Sequence, residues 1–563
     1  MNFWNKTGNF ISRYRRKVWF SALLNALFLC FLLLLLRPEY ETNDDLTLQN
    51  FLNLSKGVQD PYTRTSGYLF GWILCIAYRI TQQLPWYTLF LYALIFVSLT
   101  SVTNYVLSFE DGRLGLALAV ILMTSIGYEG YIVLNFTRVS GIAGAAGTLL
   151  IIRSMRGKKA RFFPLLLGSL IVFAGYIVRP QSAIAACGCA SAAGIYLLLG
   201  LREDAAKGKR LKRLLRYMLC LLPVLVLLAG SKKLNDHERQ SDPIRQQYYT
   251  YGNARIALMD HGFPKYKANK EAFQQLGINK NAWKLYNRWD FYDPEKMAED
   301  TMLQIAKLQP GYHFSAETVR DFLKKYPEKA FENPVFLIYL LVLALCILYG
   351  RGGKRSVLTV LWQVMLSGGL FLYMFYTRRY GVTRVDVGLW WGCILGILPI
   401  LEHSRRGMNG KAAILLAAFV LIFAQKDWNT SYRRQTGTER DRQINFQNYT
   451  SMLSNDTSHL YVVQTNRFFP DKAYAPFDRI PVGALANIMP LGGWSTMSIP
   501  YLAVGERYNV TNPYRDMIGS KTIRLVTDDP KNVLTYLHDY YDPDCSVKQV
   551  GMIGNNNIYE ILA

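Results

Sequence analysis

An α-helical polytopic membrane protein with about eleven transmembrane helices is the fold class predicted here, and three observations predict it. Apolar runs of about 15–20 residues recur along the chain, the length a helix needs to cross a hydrocarbon core. Lys and Arg concentrate in short connections that fall on one side of those runs, as the positive-inside rule requires. Three long stretches, 37–85, 232–333 and 426–563, instead have water-facing composition. The expected architecture therefore adds a helical outer loop domain and a small α/β or α+β C-terminal outer domain to the helices.

Residues 1–17 form a basic tail. The spans expected next are 18–36, 86–107, 114–128, 141–155, 163–179, 182–200 and 216–231, an amino-terminal membrane module over 18–231. A second module over 334–425 holds 334–350, 356–376, 387–402 and 411–425. The basic start and apolar core have the look of a signal peptide. No small-x-small pattern follows Leu36, however, so an uncleaved first span is expected. With a cytoplasmic amino terminus, an odd number of spans puts the carboxyl terminus outside, and all three long stretches share the outer face. The basic clusters Lys6, Arg13, Arg15, Arg16, Lys17; Arg153, Arg156, Lys158, Lys159, Arg161; Arg202, Lys207, Lys209, Arg210, Lys212, Arg213, Arg216; and Arg351, Lys354, Arg355, Arg405, Arg406, Lys411 then face the cytoplasm. The net charge of +24 thus records topology, and no nucleic-acid partner is expected.

Between the spans, Tyr68 to Gln83 is apolar but ends in Arg79, Gln82 and Gln83 before Pro85, which suits an amphipathic helix lying in the membrane plane. EAFQQLGI, EKMAEDTMLQIAKLQ and AETVRDFLKKYPEKAFENP within 232–333 carry apolar residues at three- and four-residue spacing, punctuated by Pro310, Pro327 and Pro334. In the tail, HLYVVQ, TIRLVTD and NIYEIL read as strands and PKNVLTYLHDYY as a helix. Of the eight cysteines, six lie in apolar runs and none forms a metal or redox spacing.

Candidate chemistry begins at Asn43-Asp44-Asp45, just past the first span. Ionised carboxylates at a membrane surface attract water and cations, although Asn and Asp are also the residues of turns and helix caps. With Glu39 and Glu41 nearby, one of Asp44 and Asp45 can accept a proton from a hydroxyl nucleophile. The other can hold a divalent cation or bond to backbone. Arg138 lies with Glu129 in GYEGYIVLNFTRVSG, Arg179 precedes Pro180, and Arg378, Arg379 and Arg384 crowd the short loop FYTRRYGVTRVD. Outer loops should be poor in arginine, so these suit a phosphate or pyrophosphate ligand; pairing with Glu129, Asp386 or lipid headgroups is the alternative. Tyr373, Phe375, Tyr376, Tyr380, Trp390 and Trp391 supply faces for sugar rings, or an interfacial belt. Asp260-His261 is a further acid–imidazole pair, but the six histidines, including His313, are scattered. There is no P-loop, dinucleotide-binding glycine motif or nucleophile elbow.

The acidic motif in a long first outer loop, the amphipathic segment introduced by Thr65-Ser66-Gly67, the later arginines and the water-facing tail together resemble the C-type (GT-C) superfamily of polytopic membrane glycosyltransferases. The resemblance is fullest over about the first 150 residues. It implies transfer of a sugar from a polyprenyl-phosphate donor to a glycan, lipid or protein acceptor at the outer face of the cytoplasmic membrane. The donor phosphate would lie against arginines such as Arg378, Arg379 or Arg384. Asp44 or Asp45 would be the base, with inversion at the anomeric carbon. A polymerase or ligase of lipid pyrophosphate-linked chains would use the same arginines without the carboxylates. A transporter or flippase of lipid-linked glycans would instead place ionisable groups within its spans and show repeated halves.

Overall fold

The computed structural model describes residues 13–156, 161–204, 207–260, 262–309 and 314–563, and not the side chains of 201–204 and 207–210. Lys6, Lys158, Lys159, His261, Pro310 and His313 lie outside the described residues, as do the side chains of Arg202, Lys207, Lys209 and Arg210. Every predicted span falls on a helix. Among the described residues, seven helices are long and apolar enough to cross a membrane: Val18–Leu35, Trp86–Leu107, Gly112–Tyr131, Pro180–Gly200, Leu211–Gln240, Lys354–Tyr376 and Thr383–Ile400. An eighth arises if Ala316–Phe331 and Pro334–Tyr349, bent by 93° at their junction, count together. The chain is a multi-pass membrane protein.

The other expected spans are helices that fall short of that requirement for readable reasons. Phe136–Met155 carries Arg138 and Arg153 and is the most enclosed helix of the bundle. Phe162–Val178 and Pro334–Tyr349 are short, and Gly410–Thr436 includes Lys411, Lys426 and Asp427. Phe136–Met155 meets Phe162–Val178 with almost no side chain between them. A Cβ at Gly147 would come within 2.7 Å of the Gly168 carbonyl oxygen, the close approach that small residues permit where lipid removes any hydrophobic drive.

Two helices overrun the expected boundaries. Lys207–Gln240 continues past 231 and Gly410–Thr436 past 426. Polar residues mark where a chain leaves hydrocarbon, but good helix formers such as Lys, Leu, Glu, Arg and Gln carry the helix onward into water. Tyr68–Ile80 is a separate helix that buries Phe70, Gly71, Leu74, Cys75 and Tyr78 and exposes Trp72, Ile73 and Ile80.

The basic connections gather at one end of the bundle. Arg15 donates to the carbonyl oxygens of Leu107 (2.6 Å) and Phe109 (2.8 Å), Arg156 pairs with Glu402, and Arg355 lies 3.7 Å over the Tyr196 ring. The first loop, the 232–333 segment and the tail occupy the opposite end. The middle segment contains helices Pro243–Arg255, Lys270–Gln275, Lys280–Asn287, Glu299–Ala306 and Ala316–Phe331.

A short parallel pair joins β1 (Glu39–Tyr40) to β2 (Val133–Leu134). After helix Thr438–Asn455 comes a five-stranded sheet of β3 (Leu460–Val463), β4 (Ile488–Pro490), β5 (Ile523–Thr527), β6 (Ser546–Ile553) and β7 (Asn556–Leu562), in the order β4-β3-β5-β7-β6. The first three strands are mutually parallel and the last two antiparallel. The predicted strands and the helix Pro530–Tyr540 fall where expected. Edge strand β6, with Lys548, Gln549 and a bulge at Gly551, has no alternation to betray it.

Two fully buried aspartates bind the middle segment to the tail. Asp293 accepts from Asn512 Nδ2 (3.1 Å), Tyr536 Oη (2.7 Å) and Tyr541 Oη (2.6 Å). Asp290 accepts from the Thr465 backbone N–H (2.6 Å) and Gln464 Nε2 (3.1 Å). Burial pushes the Asp290 carboxyl up to about 7, against those hydrogen bonds.

Replacing Asp293 by Ala strands three buried donors and should weaken docking of the tail by about 3–5 kcal/mol, read as accelerated proteolysis within 456–563. Because the Asp290 pKa is higher when docked than when exposed, its contribution to docking is full below about pH 4 and is lost as pH rises through about 7, by on the order of 4 kcal/mol. Asp290→Asn should remove that component from a thermal-unfolding pH series.

Candidate active site at the mouth of an apolar cavity

The acidic motif opens helix Asn43–Leu52, held against the bundle by β1 and by the Glu41 backbone N–H donating to the Leu134 carbonyl oxygen (3.0 Å). Neighbouring helical residues point about 100° apart, and this separates the two aspartates. Asp45 is fully buried. Its Oδ1 accepts from Tyr87 Oη and the Phe136 backbone N–H, and its Oδ2 from Asn135 Nδ2, each at 2.8 Å. Phe136 opens a helix, whose amino terminus favours a carboxylate. Burial still pushes the Asp45 carboxyl up to about 8. With both oxygens engaged, one of them by a backbone N–H, Asp45 takes the backbone-bonded role that the sequence left open for one of the two aspartates.

Asp44 turns the other way, with its side chain 29% exposed and its Oδ2 3.7 Å from Arg384 Nη2. Beside it, Asp471 of the tail accepts from Asn43 Nδ2 (3.1 Å) and Thr47 Oγ1 (3.3 Å). Buried Lys56 lies within electrostatic reach of Asp471. Burial raises the Asp471 carboxyl to about 6 and lowers the Lys56 amine to about 8. Neither residue was foreseen, since nothing in the local pattern of either segment joins positions more than 400 residues apart.

The arginines divide into two groups. Arg179, between Phe162–Val178 and Pro180–Ala190, donates from Nη1 to the Thr65 carbonyl oxygen (2.8 Å) and lies 5.6 Å from the Phe136 ring centre. Asp44, Arg379, Arg384 and Arg64 are within its electrostatic reach, and burial lowers its pKa to about 10, so it stays charged at neutral pH. Arg379 bridges to Asp260 of the middle segment at 3.1 Å. Arg378 sits exposed on the same loop in a left-handed conformation, φ 57°.

Arg138 belongs to the interior. It is 1% exposed and pairs with Glu41 (3.1 Å) and Glu129 (3.2 Å) while donating to the carbonyl oxygens of Glu129 and Val133. Arg138 and Glu129 therefore brace the bundle and are not available to a phosphate. The aromatic residues divide similarly: Trp390 packs on Phe336, Tyr339 and Phe371, and Trp391 is fully buried. Tyr380 stays half-buried at the loop, 4.7 Å from Phe375. Among the described residues, no group of three or more His, Cys, Asp or Glu side chains is arranged to hold a metal.

Within the bundle, a cavity of about 550 Å³ runs between Phe136–Met155, Phe162–Val178, Pro180–Gly200 and Leu211–Gln240. Ile151, Met155, Val172, Ile184, Val224 and Leu225 make its lining overwhelmingly apolar. Tyr176 and Ala183, which flank Arg179 in sequence by one turn each way, also line it.

Asp45→Asn introduces an amide donor facing three donors and should destabilise the protein by about 2–4 kcal/mol. Asp44→Asn should stay within about 0.5 kcal/mol of the parent. Thermal unfolding of the two purified variants reads the difference directly.

No family model matches the chain, and no curated protein matches it. Among solved structures it is similar to ArnT from Cupriavidus metallidurans in the crystal structure bound to undecaprenyl phosphate, at 8% identity and a TM-score of 0.42, over 96% of this chain and 97% of that one. The apo-state crystal structure of the same ArnT gives 9% identity and a TM-score of 0.41, over 95% and 97% respectively.

Proposed function

We propose that the chain is a membrane glycosyltransferase that moves a sugar from a polyprenyl-phosphate donor to a hydroxyl of a glycan, lipid or protein acceptor, at the outer face of the cytoplasmic membrane. The observation that carries this reading is the Asp44–Arg384 pair with Arg179 in electrostatic reach of both, together with Tyr176 and Ala183, one turn either side of Arg179, in the lining of the apolar cavity. An isoprenoid tail fits the lining, and guanidinium groups recognise the phosphate that follows it.

In this reading Asp44 accepts the proton of the acceptor hydroxyl as its oxygen bonds to the anomeric carbon from the side opposite the phosphate. The bond between that carbon and the phosphate oxygen breaks, and both electrons leave with polyprenyl phosphate, now a dianion. Arg179 and Arg384 offset the charge that develops there, which removes the need for a strong general acid. Configuration inverts because attack and departure are on opposite faces.

With purified protein in nanodiscs and a panel of polyprenyl-phosphate sugars, Asp44→Asn should lower turnover by at least about 100-fold and leave polyprenyl-phosphate binding intact. Arg384→Ala and Arg179→Ala should weaken that binding about tenfold or more. Full turnover by Asp44→Asn would refute the assignment.

A further inference from the structure

Beyond the groups assigned to the donor, the same mouth holds a second cationic set for which the reaction has no use. Arg255 ends helix Pro243–Arg255 and is 6% exposed, with its Nε buried and without a hydrogen-bond partner. Its guanidinium lies 5.7 Å from the Trp289 ring centre. Arg64, from the first loop, donates from Nη2 to Asn253 Oδ1 at 2.6 Å, and its Nε is likewise buried without a partner. The Arg64 side chain lies on Gly252, one turn before Arg255, where a Cβ would come to 2.7 Å from Arg64 Nε. Arg64 is within electrostatic reach of both Arg255 and Arg179, so the two arginine sets are neighbours. Counting Arg64, Arg179, Arg255, Arg379 and Arg384, five guanidinium groups gather where the carboxylates are Asp44, Asp260 and, beside Asp44, Asp471. Like charges this close are costly unless an anion joins them.

The backbone tells the same story. Non-glycine residues in the left-handed region, among those described, are Arg64 (φ 62°), Trp289 (φ 72°), Arg378 (φ 57°), Met497 and Asn509. Three of these five belong to the arginine-rich mouth. A residue as bulky as Trp adopts this conformation only where its surroundings hold it there. At Trp289 it is the closing turn of helix Lys280–Asn287, in which the Trp289 and Asp290 backbone N–H groups donate to the Tyr286 (3.0 Å) and Leu285 (3.1 Å) carbonyl oxygens, and the tail packs onto that turn. Thr465 Oγ1 donates to the Trp289 carbonyl oxygen at 2.9 Å, and Gly492 packs so closely that a Cβ would come to 1.7 Å from that oxygen. The helix end and the tail together hold an aromatic face beneath Arg255.

We propose that Arg64, Arg255 and Trp289 form an acceptor subsite that selects a phosphate-bearing sugar, so that the enzyme uses an anionic acceptor. This rests on the transferase reading above, in which Arg179 and Arg384 take the donor phosphate. The acceptor's phosphate bridges Arg64 and Arg255 while Trp289 meets the sugar face, and the chain of arginines leads its free hydroxyl towards Asp44. The tail thereby acts on specificity, because it holds Trp289 in place.

The test uses full-length protein in phosphatidylcholine nanodiscs with polyprenyl phosphate already saturating, titrated with glucose 1-phosphate, inorganic phosphate and methyl glucoside and read by calorimetry. Glucose 1-phosphate should bind saturably and more tightly than inorganic phosphate, and methyl glucoside should not bind. Arg255→Gln should weaken that binding at least tenfold. Half-exposed Arg64→Gln, which disturbs folding less, should do the same with polyprenyl-phosphate affinity unchanged. Competition between glucose 1-phosphate and polyprenyl phosphate would leave a single anion site and overturn the proposal. So would equal binding of methyl glucoside, or displacement by phosphatidylglycerol nanodiscs, which would make the pocket a lipid-headgroup site. Failure of polyprenyl phosphate to bind at all would instead strike the transferase reading, since it depends on Arg179 and Arg384 and not on the variants tested here.

Discussion

Everything at the mouth of the bundle depends on where the Asp45 carboxylate is buried. Its three donors belong to the first turns of two bundle helices and the N-cap of the second, so one side chain fixes helix Asn43–Leu52 against Trp86–Leu107 and Phe136–Met155. Hydrogen bonds and a helix amino terminus offset part of the cost of taking that group from water, and burial still holds its pKa up at about 8. Once Asp45 faces inward, helical geometry turns Asp44 outward. The pair looks redundant in sequence and is divided by a rotation of about 100° into an anchor and an open acid.

The same economy recurs with the arginines. Arg138 is consumed by Glu41 and Glu129, which closes the interior behind β1 and β2. Arg179, Arg379 and Arg384 remain at the surface of the mouth, where carboxylates are outnumbered. Burial and pairing decide which of these like residues serve the framework and which are left to meet a ligand.

The water-facing parts build one wall and do not act as separate appendages. Asp290 and Asp293 weld the middle segment to the tail sheet, Asp60 pairs with Arg245 at 2.9 Å to hold the first loop on helix Pro243–Arg255, and Arg37 pairs with Asp478 at 3.0 Å to hold it on the tail. Through these contacts the tail supplies Asp471 beside Asp44 and packs on the helix end that carries Trp289. Stability of the outer layer and composition of the mouth are therefore coupled.

Hydrophobic runs, basic connections and the periodicity of HLYVVQ, TIRLVTD and NIYEIL were enough to place the helices and most of the sheet, because those patterns reflect a local exchange between water and an apolar phase. The acidic motif and the arginines of 378–384 were legible too, as charges set where a membrane chain has little reason to keep them. The overruns at Gln240 and Thr436 were not, since composition reports the solvent and not the end of a helix. Nor did the linear chain distinguish Asp44 from Asp45, remove Arg138, or point to Lys56, Arg64, Arg255 and Asp471. Those outcomes turn on desolvation and hydrogen bonding between residues far apart in the chain, and such energies exist only after the elements have packed.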